Sequence, residues 1–332
     1  MHDLDSFADA KPLSPDQIPI IDISGLTGAC DHTDVARKLH EASQSLGFIY
    51  IKGHGIPALA IDEARSTAYQ FFRADNSEKA RYAVSTHHRG WLQPGASRMQ
   101  DDLLTDLKES FIWGQEGGSK DTAYQHPLRG PNQWPDFVPH MQHAAMTYFQ
   151  HAHDTATQLM RGFALGLNLP EDFFLKTCSR PVSRASFVYY PPQTDGTTPR
   201  FGVGPHTDFG VLTVLCQDDV GGLQVQDTHG EWLLAPPLPN TLVVNVGDLL
   251  SRWTDGAYKS TPHRVINAST RERLSLVLAF DPDPETLIDA REVFGQDYQP
   301  AEPPIRCGDY LQWRFSKAFA YRNATDSDSQ PE

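Results

Sequence analysis

The second half of the chain is a succession of short runs of residues that favour β-strands. Turn residues separate these runs, and this spacing is typical of an all-β sandwich or barrel. The runs extend from Arg184 to Tyr190, Val211 to Cys216, Gly222 to Gln226, Thr241 to Val246 and Leu274 to Phe280. We therefore predict an all-β core beyond residue 180.

The first half is predicted to supply helices. Apolar residues recur at the three-and-four spacing of a helix face from about 34 to 46 and again from 138 to about 167. A further helix is expected from about 58 to 73. The segment 85–135 is rich in Gly, Pro, Gln and Asp, which predicts a loop with one short strand near Ser110 to Trp113. The whole chain is thus predicted to be mixed α/β with an all-β core.

The charge balance argues against polyanionic partners. The 332 residues include 28 basic and 42 acidic ones, for a formal net charge of −14. Such a surface repels phosphate backbones and anionic lipid. No apolar run approaches the ~20 residues needed to cross a bilayer, and the N-terminus lacks the features of a signal peptide. We therefore expect a cytoplasmic monomer that acts on a small molecule, without nucleic-acid or membrane partners.

The segment Gly204-Pro-His-Thr-Asp-Phe-Gly210 contains candidate metal ligands. If it is a β-strand, His206 and Asp208 point to the same face, because side chains two residues apart in a strand do so. A third ligand has to come from elsewhere, and Ser260-Thr-Pro-His-Arg-Val265 places His263 at the start of another short apolar strand. Two histidines and one carboxylate form the facial triad of non-haem iron(II) oxygenases, which leaves one face of an octahedral metal open.

An arginine and a serine are predicted to point into the same interior. Arg273 and Ser275 begin the strand that follows His263, and they share one of its faces. A guanidinium inside an apolar barrel needs an anionic partner, because an unpaired buried charge is strongly destabilising. The distal carboxylate of 2-oxoglutarate is such a partner, and its other end would chelate the metal. Tyr190 offers one further hydroxyl to this carboxylate, with plain packing as its alternative role.

Several short motifs occur in a fixed order along the chain. They are Ile18-Pro-Ile-Ile-Asp22, Gly47-Phe48, His54-Gly-Ile-Pro57, Lys108-Glu-Ser-Phe111, Tyr190-Pro-Pro192, His206-Thr-Asp208, Gly221-Gly-Leu-Gln-Val225, Asn245-Val-Gly-Asp248, Ser260-Thr-Pro-His-Arg-Val265 and Arg273-Leu-Ser275. In this order they resemble the isopenicillin-N-synthase-like family of 2-oxoglutarate and iron(II) dependent oxygenases. The resemblance extends from about Ile18 to Arg322. It implies a double-stranded β-helix, or jelly roll, flanked by helices drawn mainly from the N-terminal half.

The resemblance also implies roles for residues and for regions of the chain. Iron would be bound by His206, Asp208 and His263, while Arg273 and Ser275 would hold 2-oxoglutarate. The implied regions are an N-terminal region at 17–130, the jelly-roll core at 180–285, a C-terminal segment that packs on the core at 286–324 and a disordered tail at 325–332.

The substrate pocket is expected between three parts of the chain. These are the segment 85–135, the inward face of Arg184 to Tyr190, and the C-terminal part near Trp313 and Phe319. The candidate lining residues are Phe111, Trp113, Arg184, Ser186, Val188 and Ala279. Many plant members of the family carry Asn where this chain has Val188, so the contact of that amide is absent here. Asn245 and Asp248 are expected to fix a turn rather than to contact substrate.

The predicted reaction is the oxidation of an unactivated C–H bond of a small organic metabolite, in specialised metabolism. The reaction would consume O2 and 2-oxoglutarate, would release succinate and CO2, and would proceed as hydroxylation, desaturation or ring closure. Two alternatives stay open. One is a 2-oxoglutarate-independent iron(II) oxidase of the isopenicillin N synthase type, whose Arg-x-Ser pair holds the substrate's own carboxylate. The other is a non-catalytic metal-binding β-barrel.

Overall fold

The computed structural model describes most of the chain, namely residues 10–12, 17–26, 32–97, 106–116, 126–193, 201–266, 269–319 and 321. The tail predicted for 325–332 lies outside these ranges. The helices are α1 (Thr33–Ser45), α2 (Ala58–Phe72), α3 (Asn76–Ala80), α4 (Met141–Gly166), α5 (Asp248–Trp253), α6 (Ala290–Phe294) and α7 (Cys307–Ala318). None of the described helices combines the length and the apolar character that a membrane span requires.

The strands form two facing sheets and a small ribbon. They are β1 (Lys11–Pro12), β2 (Ile20–Asp22), β3 (Phe48–Lys52), β4 (Gly90–Leu92), β5 (Glu109–Gly114), β6 (Arg184–Tyr190), β7 (Phe201–His206), β8 (Leu212–Cys216), β9 (Leu223–Gln226), β10 (Trp232–Leu234), β11 (Leu242–Val246), β12 (His263–Ile266), β13 (Arg273–Phe280), β14 (Leu287–Ile288) and β15 (Ile305–Arg306). The large sheet has the order β2-β3-β11-β8-β13-β6-β5-β4, and the small sheet has the order β1-β10-β9-β12-β7.

Strands that are distant in sequence are neighbours in both sheets, as the jelly-roll prediction requires. The central strand β13 pairs antiparallel with β6 on one side and with β8 on the other. In the small sheet, β12 pairs antiparallel with β7 and β9. The mixed fold with a jelly-roll core and flanking helices is therefore confirmed.

The large sheet separates two apolar cores. On its outer face, the helices α2 and α4 pack against β13, and the buried side of α4 includes Met141, Ala145 and Tyr148 at helical spacing. The Tyr148 hydroxyl also donates to the carbonyl oxygen of Leu276 in β13, at 3.3 Å. On its inner face, a smaller core lies between the two sheets, and a cavity opens within it. This cavity contains the candidate site.

Candidate active site

Three predicted ligand side chains converge at one end of the cavity. Asp208 Oδ1 lies 3.8 Å from His206 Nε2 and 3.7 Å from His263 Nε2. The potential ligand atoms of the three residues all lie within 4.8 Å of one another. Two imidazole nitrogens and one carboxylate oxygen around a common point form the donor set that suits iron(II), with room for further ligands on the open side.

The second nitrogen of each imidazole fixes its orientation. His206 Nδ1 lies 2.8 Å from the carbonyl oxygen of Gly204, and His263 Nδ1 lies 3.2 Å from the carbonyl oxygen of Thr261. A carbonyl oxygen can only accept a hydrogen bond, so each Nδ1 carries the proton. In the neutral imidazole, this arrangement leaves the lone pair of each Nε2 for a metal.

The carboxylate is oriented in the same way. Asp208 Oδ2 accepts hydrogen bonds from Thr213 Oγ1 at 2.5 Å and from Asn245 Nδ2 at 2.7 Å, which leaves Oδ1 for a metal. Thr213 and Asn245 are paired across β8 and β11. The expectation that Asn245 fixes a turn is wrong, because this residue lies within a strand and its side chain reaches Asp208.

The backbone brings the ligands together differently from the prediction. The strand β7 ends at His206, and Asp208 lies in the loop that follows, so the prediction that one strand presents both ligands is wrong. A backbone hydrogen bond of 2.8 Å from the N–H of Asp248 to the carbonyl oxygen of Asp208 holds this loop. His263 begins β12 and is paired with His206 across the small sheet.

Burial and neighbouring groups shift the pKa values of His206 and Asp208. Burial lowers the pKa of His206, because the imidazolium loses its hydration, and the neighbouring His263 lowers it further. For Asp208, burial acts to raise the pKa, but the two histidines and the two hydrogen-bond donors on Oδ2 outweigh burial. The net pKa of Asp208 is lower than its usual value. Both shifts favour the unprotonated forms of His206 and Asp208 that metal binding requires.

Arg273 and Ser275 lie deep in the same cavity with unused hydrogen-bonding groups. Arg273 is fully buried, and its Nε donates to the carbonyl oxygen of Gly221 at 2.6 Å. Its Nη1 and the Oγ of Ser275 are buried and have no hydrogen-bond partner among the described residues. The Tyr190 ring lies against the guanidinium, with 4.5 Å between Arg273 Cζ and the ring centre. Since buried polar groups are rarely left unpaired, this corner fits a bound carboxylate.

The inner face of the neighbouring strands β13, β6 and β5 forms part of the cavity wall. The cavity encloses about 200 Å³. Its wall residues on β13 are paired directly with those on β6, since Arg273 lies opposite Tyr190 and Ala279 lies opposite Arg184. The structure thus places on the wall all four of the substrate candidates predicted for these two strands, which are Arg184, Ser186, Val188 and Ala279.

Two of the predicted substrate residues point the other way. Phe111 and Trp113 are fully buried on the outer face of β5, where Phe111 packs on Phe71 of α2. Their assignment to the pocket is wrong, because the apolar side chains of β5 face the helices. Trp313 also lies outside the cavity, with 47% of its surface exposed. Phe319 lines the cavity, as expected.

Residues that the sequence analysis missed complete the wall. On β5 and just before it, Lys108, Ser110 and Ile112 line the cavity, while Phe315 of α7 lines it from the C-terminal part. The signal that could have found them is register, because Ser110 is paired with Val188 and must share its face.

Arg184 contributes a charge that is already neutralised. Its Nη1 donates to Asp281 Oδ2 at 2.7 Å, and its Cζ lies 4.7 Å from the centre of the Phe315 ring. Asp281 is fully buried, and burial acts to raise its pKa while Arg184 opposes this effect. The pair therefore stiffens the wall beside Phe315 without leaving a free cation there.

Family models and known proteins that resemble this chain indicate the same class of enzyme as the residues of the site. A family model described as the N-terminal region of a non-haem dioxygenase in morphine synthesis matches residues 18–137, and the model of the 2OG-Fe(II) oxygenase superfamily matches residues 182–282. The 2-oxoglutarate-Fe(II) type oxidoreductase ppzC of Metarhizium majus is 33% identical over 330 residues, which cover 92% of this chain and 88% of the relative. A homoarginine-6-hydroxylase of Glycine max is 34% identical over 292 residues, covering 82% and 87%.

Solved structures point to the same family. A full-length Neurospora crassa protein crystallised with alpha-KG superposes with a TM-score of 0.80 at 26% identity, covering 92% of this chain and 98% of that one. The chain therefore belongs to the 2OG-Fe(II) oxygenase superfamily and is a dioxygenase that uses Fe(II), 2-oxoglutarate and O2. The family predicted from the motifs is confirmed.

Proposed function

We propose that His206, Asp208 and His263 bind the iron, and that Arg273 and Ser275 bind the distal carboxylate of 2-oxoglutarate, with Tyr190 beside them. The observation that carries this assignment is the pair of unpartnered buried groups on Arg273 and Ser275, in the same cavity as the three converging ligands. When bound, iron and 2-oxoglutarate supply the oxidising power that attacks an unactivated C–H bond and yields succinate and CO2.

The chain's own residues position the reactants and keep water away. The Nε2 atoms of His206 and His263 and Asp208 Oδ1 would hold the metal at the wall of the cavity. Apolar side chains on the cavity wall, among them Ile112, Phe315 and Phe319, restrict solvent near the reacting carbon. The hydrogen bonds from Thr213 and Asn245 hold the carboxylate ligand in one orientation.

The substrate is a small organic molecule, and the reaction proposed for it is hydroxylation. The Glycine max relative carries the name of a hydroxylase, which supports this choice over desaturation and ring closure. We also place the enzyme in the cytoplasm as a monomer, without nucleic-acid or membrane partners. The formal net charge of −14 supports the absence of polyanionic partners.

Anaerobic titration tests the assignment of both sites. Apo-protein receives iron(II) and then 2-oxoglutarate, while the weak visible charge-transfer band that accompanies chelation of the oxo acid is followed. We expect a band in the wild type and none in His206→Ala, with circular dichroism as the control for folding. A folded, iron-loaded wild type without a band would contradict the proposal and would favour the 2-oxoglutarate-independent oxidase.

A further inference from the structure

Lys108 is a cation on the cavity wall that the mechanism above does not use. Its backbone N–H donates to the carbonyl oxygen of Gly202 at 3.3 Å, which joins the segment before β5 to β7, the strand that ends in His206. Its side chain is only 12% exposed and borders the cavity. The side chain is close enough to the metal ligands for its charge to lower the pKa of His206.

The ammonium group of Lys108 has hydrogen-bonding capacity to spare. The nearest described carboxylate is that of the buried Asp106, whose Oδ2 lies 3.9 Å from Lys108 Nζ, which makes a long ion pair without a hydrogen bond. Asp106 is itself engaged, since Oδ1 accepts from the N–H of Gly204 at 3.0 Å and Oδ2 accepts from Ser97 Oγ at 2.8 Å. Lys108 therefore presents donors to the cavity that no described residue uses, unlike Arg184, which is bonded to Asp281.

The charge inventory of the wall favours an acid over a base. Among the described residues that line the cavity, Asp208 is the single carboxylate, and it is committed to the metal. A cationic substrate would find no free carboxylate on this part of the wall. An anionic one would find Lys108, and the apolar side chains of Leu92, Ile112 and Phe319 would receive the rest of the molecule.

We propose that Lys108 Nζ binds a carboxylate of the substrate, so that the enzyme oxidises small organic acids with an apolar body. This inference rests on the proposed function, because it assumes that the cavity holds iron and 2-oxoglutarate. The two cosubstrate carboxylates have their own partners in the metal and in Arg273, which leaves Lys108 for the substrate. Burial acts to lower the pKa of Lys108, and a carboxylate bound at its ammonium group would stabilise the charged form.

Matched pairs of acids and amides test the inference. Hexanoate and hexanamide, and phenylacetate and phenylacetamide, are titrated anaerobically into the iron(II) and 2-oxoglutarate complex, with dissociation constants taken from thermal shift and from perturbation of the charge-transfer band. In the wild type we expect each acid to bind about 10- to 100-fold more tightly than its amide, as for a charge-assisted hydrogen bond. Lys108→Gln should lose this preference, Lys108→Arg should retain it, and the exposed-lysine control Lys317→Gln should behave as wild type.

The outcomes separate this inference from the proposed function. If the band forms but acids and amides bind equally, or if no acid binds, the inference is overturned while the cosubstrate assignment stands. If Lys108→Gln mainly weakens the binding of 2-oxoglutarate, Lys108 contacts the cosubstrate and the inference is likewise overturned. Absence of the band in the wild type would overturn the proposed function, and this inference with it.

Discussion

The two faces of the large sheet differ in the side chains that the same strands present on them. On β13, the outer residues Leu274, Leu276 and Leu278 are fully buried against the helical side, while the inner residues Arg273 and Ser275 carry polar groups without partners. The alternation of a strand thus places stabilising side chains and the side chains that we propose bind ligand one residue apart. The outer face gains stability from packing, and the inner face keeps unpartnered polar groups, which we propose bind 2-oxoglutarate.

Buried lysines on the two sides illustrate the same difference. Lys79 of α3 packs on the outer side, where its Nζ donates to Glu109 Oε2 at 2.8 Å and to the carbonyl oxygen of Phe72 at 3.1 Å. Lys108, one residue before Glu109, turns to the cavity and has no hydrogen bond from its ammonium group to any described residue. The charge of Lys79 is thus hydrogen-bonded within the protein, whereas the ammonium group of Lys108 keeps donors that no described residue uses, and we propose that they bind a carboxylate of the substrate.

The largest expected effect on stability comes from breaking the outer ion pair. Lys79→Met leaves the carboxylate of Glu109 buried, with the Trp91 indole as its one remaining donor among the described residues, and we expect a loss of about 3–5 kcal/mol in the free energy of unfolding. Denaturant unfolding measures this loss. Lys79→Met combined with Glu109→Leu should recover part of it. A change under about 1 kcal/mol would contradict the contrast between the two lysines.

Truncation of an outer leucine tests the difference between the two faces on a single strand. Leu276→Ala removes a side chain that is fully buried beneath α4, and we expect a loss of about 2–5 kcal/mol in stability with unchanged affinity for 2-oxoglutarate in the folded protein. Denaturant unfolding and calorimetry measure the two quantities. If Leu276→Ala instead weakened the binding of 2-oxoglutarate without destabilising the fold, the proposed difference between the two faces would be wrong.

The inner face also contains residues that orient a proposed metal ligand rather than bind the metal themselves. Asn245→Ala removes a donor to Asp208 Oδ2, and we expect iron(II) affinity to fall by about 10- to 100-fold, as is usual when an outer-shell partner of a metal ligand is lost. Competition with a metal-binding dye measures this affinity, and Asn245→Asp tests whether shape alone suffices. An unchanged iron affinity in Asn245→Ala would show that Thr213 alone orients the carboxylate.

The smallest expected effect is that of the serine on the inner face. Ser275→Ala removes a buried hydroxyl that has no partner among the described residues, so stability should stay equal or rise. The affinity for 2-oxoglutarate should fall by about tenfold, which corresponds to about 1.4 kcal/mol. Calorimetry of the iron-loaded protein measures the affinity. A drop in stability with unchanged affinity would place Ser275 among the packing residues.

Much of the fold could be predicted from the sequence because its signals are local. The three-and-four spacing predicted α1 and α4 closely, and the strand predicted from Arg184 to Tyr190 has those bounds in the structure. The residues proposed to hold iron were predicted from the His206-Thr-Asp208 pattern, from the position of His263 before another short strand and from the order of the motifs, and the structure brings the three side chains together. The C-terminal helix α7, which adds Phe315 to the cavity wall, was not predicted.

The substrate wall was harder to predict because it depends on register. On β5, a shift of one residue decides whether Phe111 or Ser110 faces the cavity. Phe111 and Trp113 were predicted to contact substrate because they are apolar. In the structure they pack in the core on the helical side, and Lys108 and Ser110 line the cavity instead. Only the pairing of Ser110 with Val188 settles the direction, and such a pairing between distant segments is not visible in a single sequence.

We propose that the unpartnered groups of Arg273 and Ser275, on the inner face of β13, bind 2-oxoglutarate. The most direct measurement is calorimetric titration of 2-oxoglutarate into iron-loaded, anaerobic wild type and Arg273→Met, together with the unfolding free energy of each protein. In Arg273→Met we expect the affinity for 2-oxoglutarate to fall by about 100-fold or more while stability is unchanged or increased, because the variant removes a buried charge that no described carboxylate pairs with. Unchanged affinity, or a stability loss of several kcal/mol with normal binding, would contradict it.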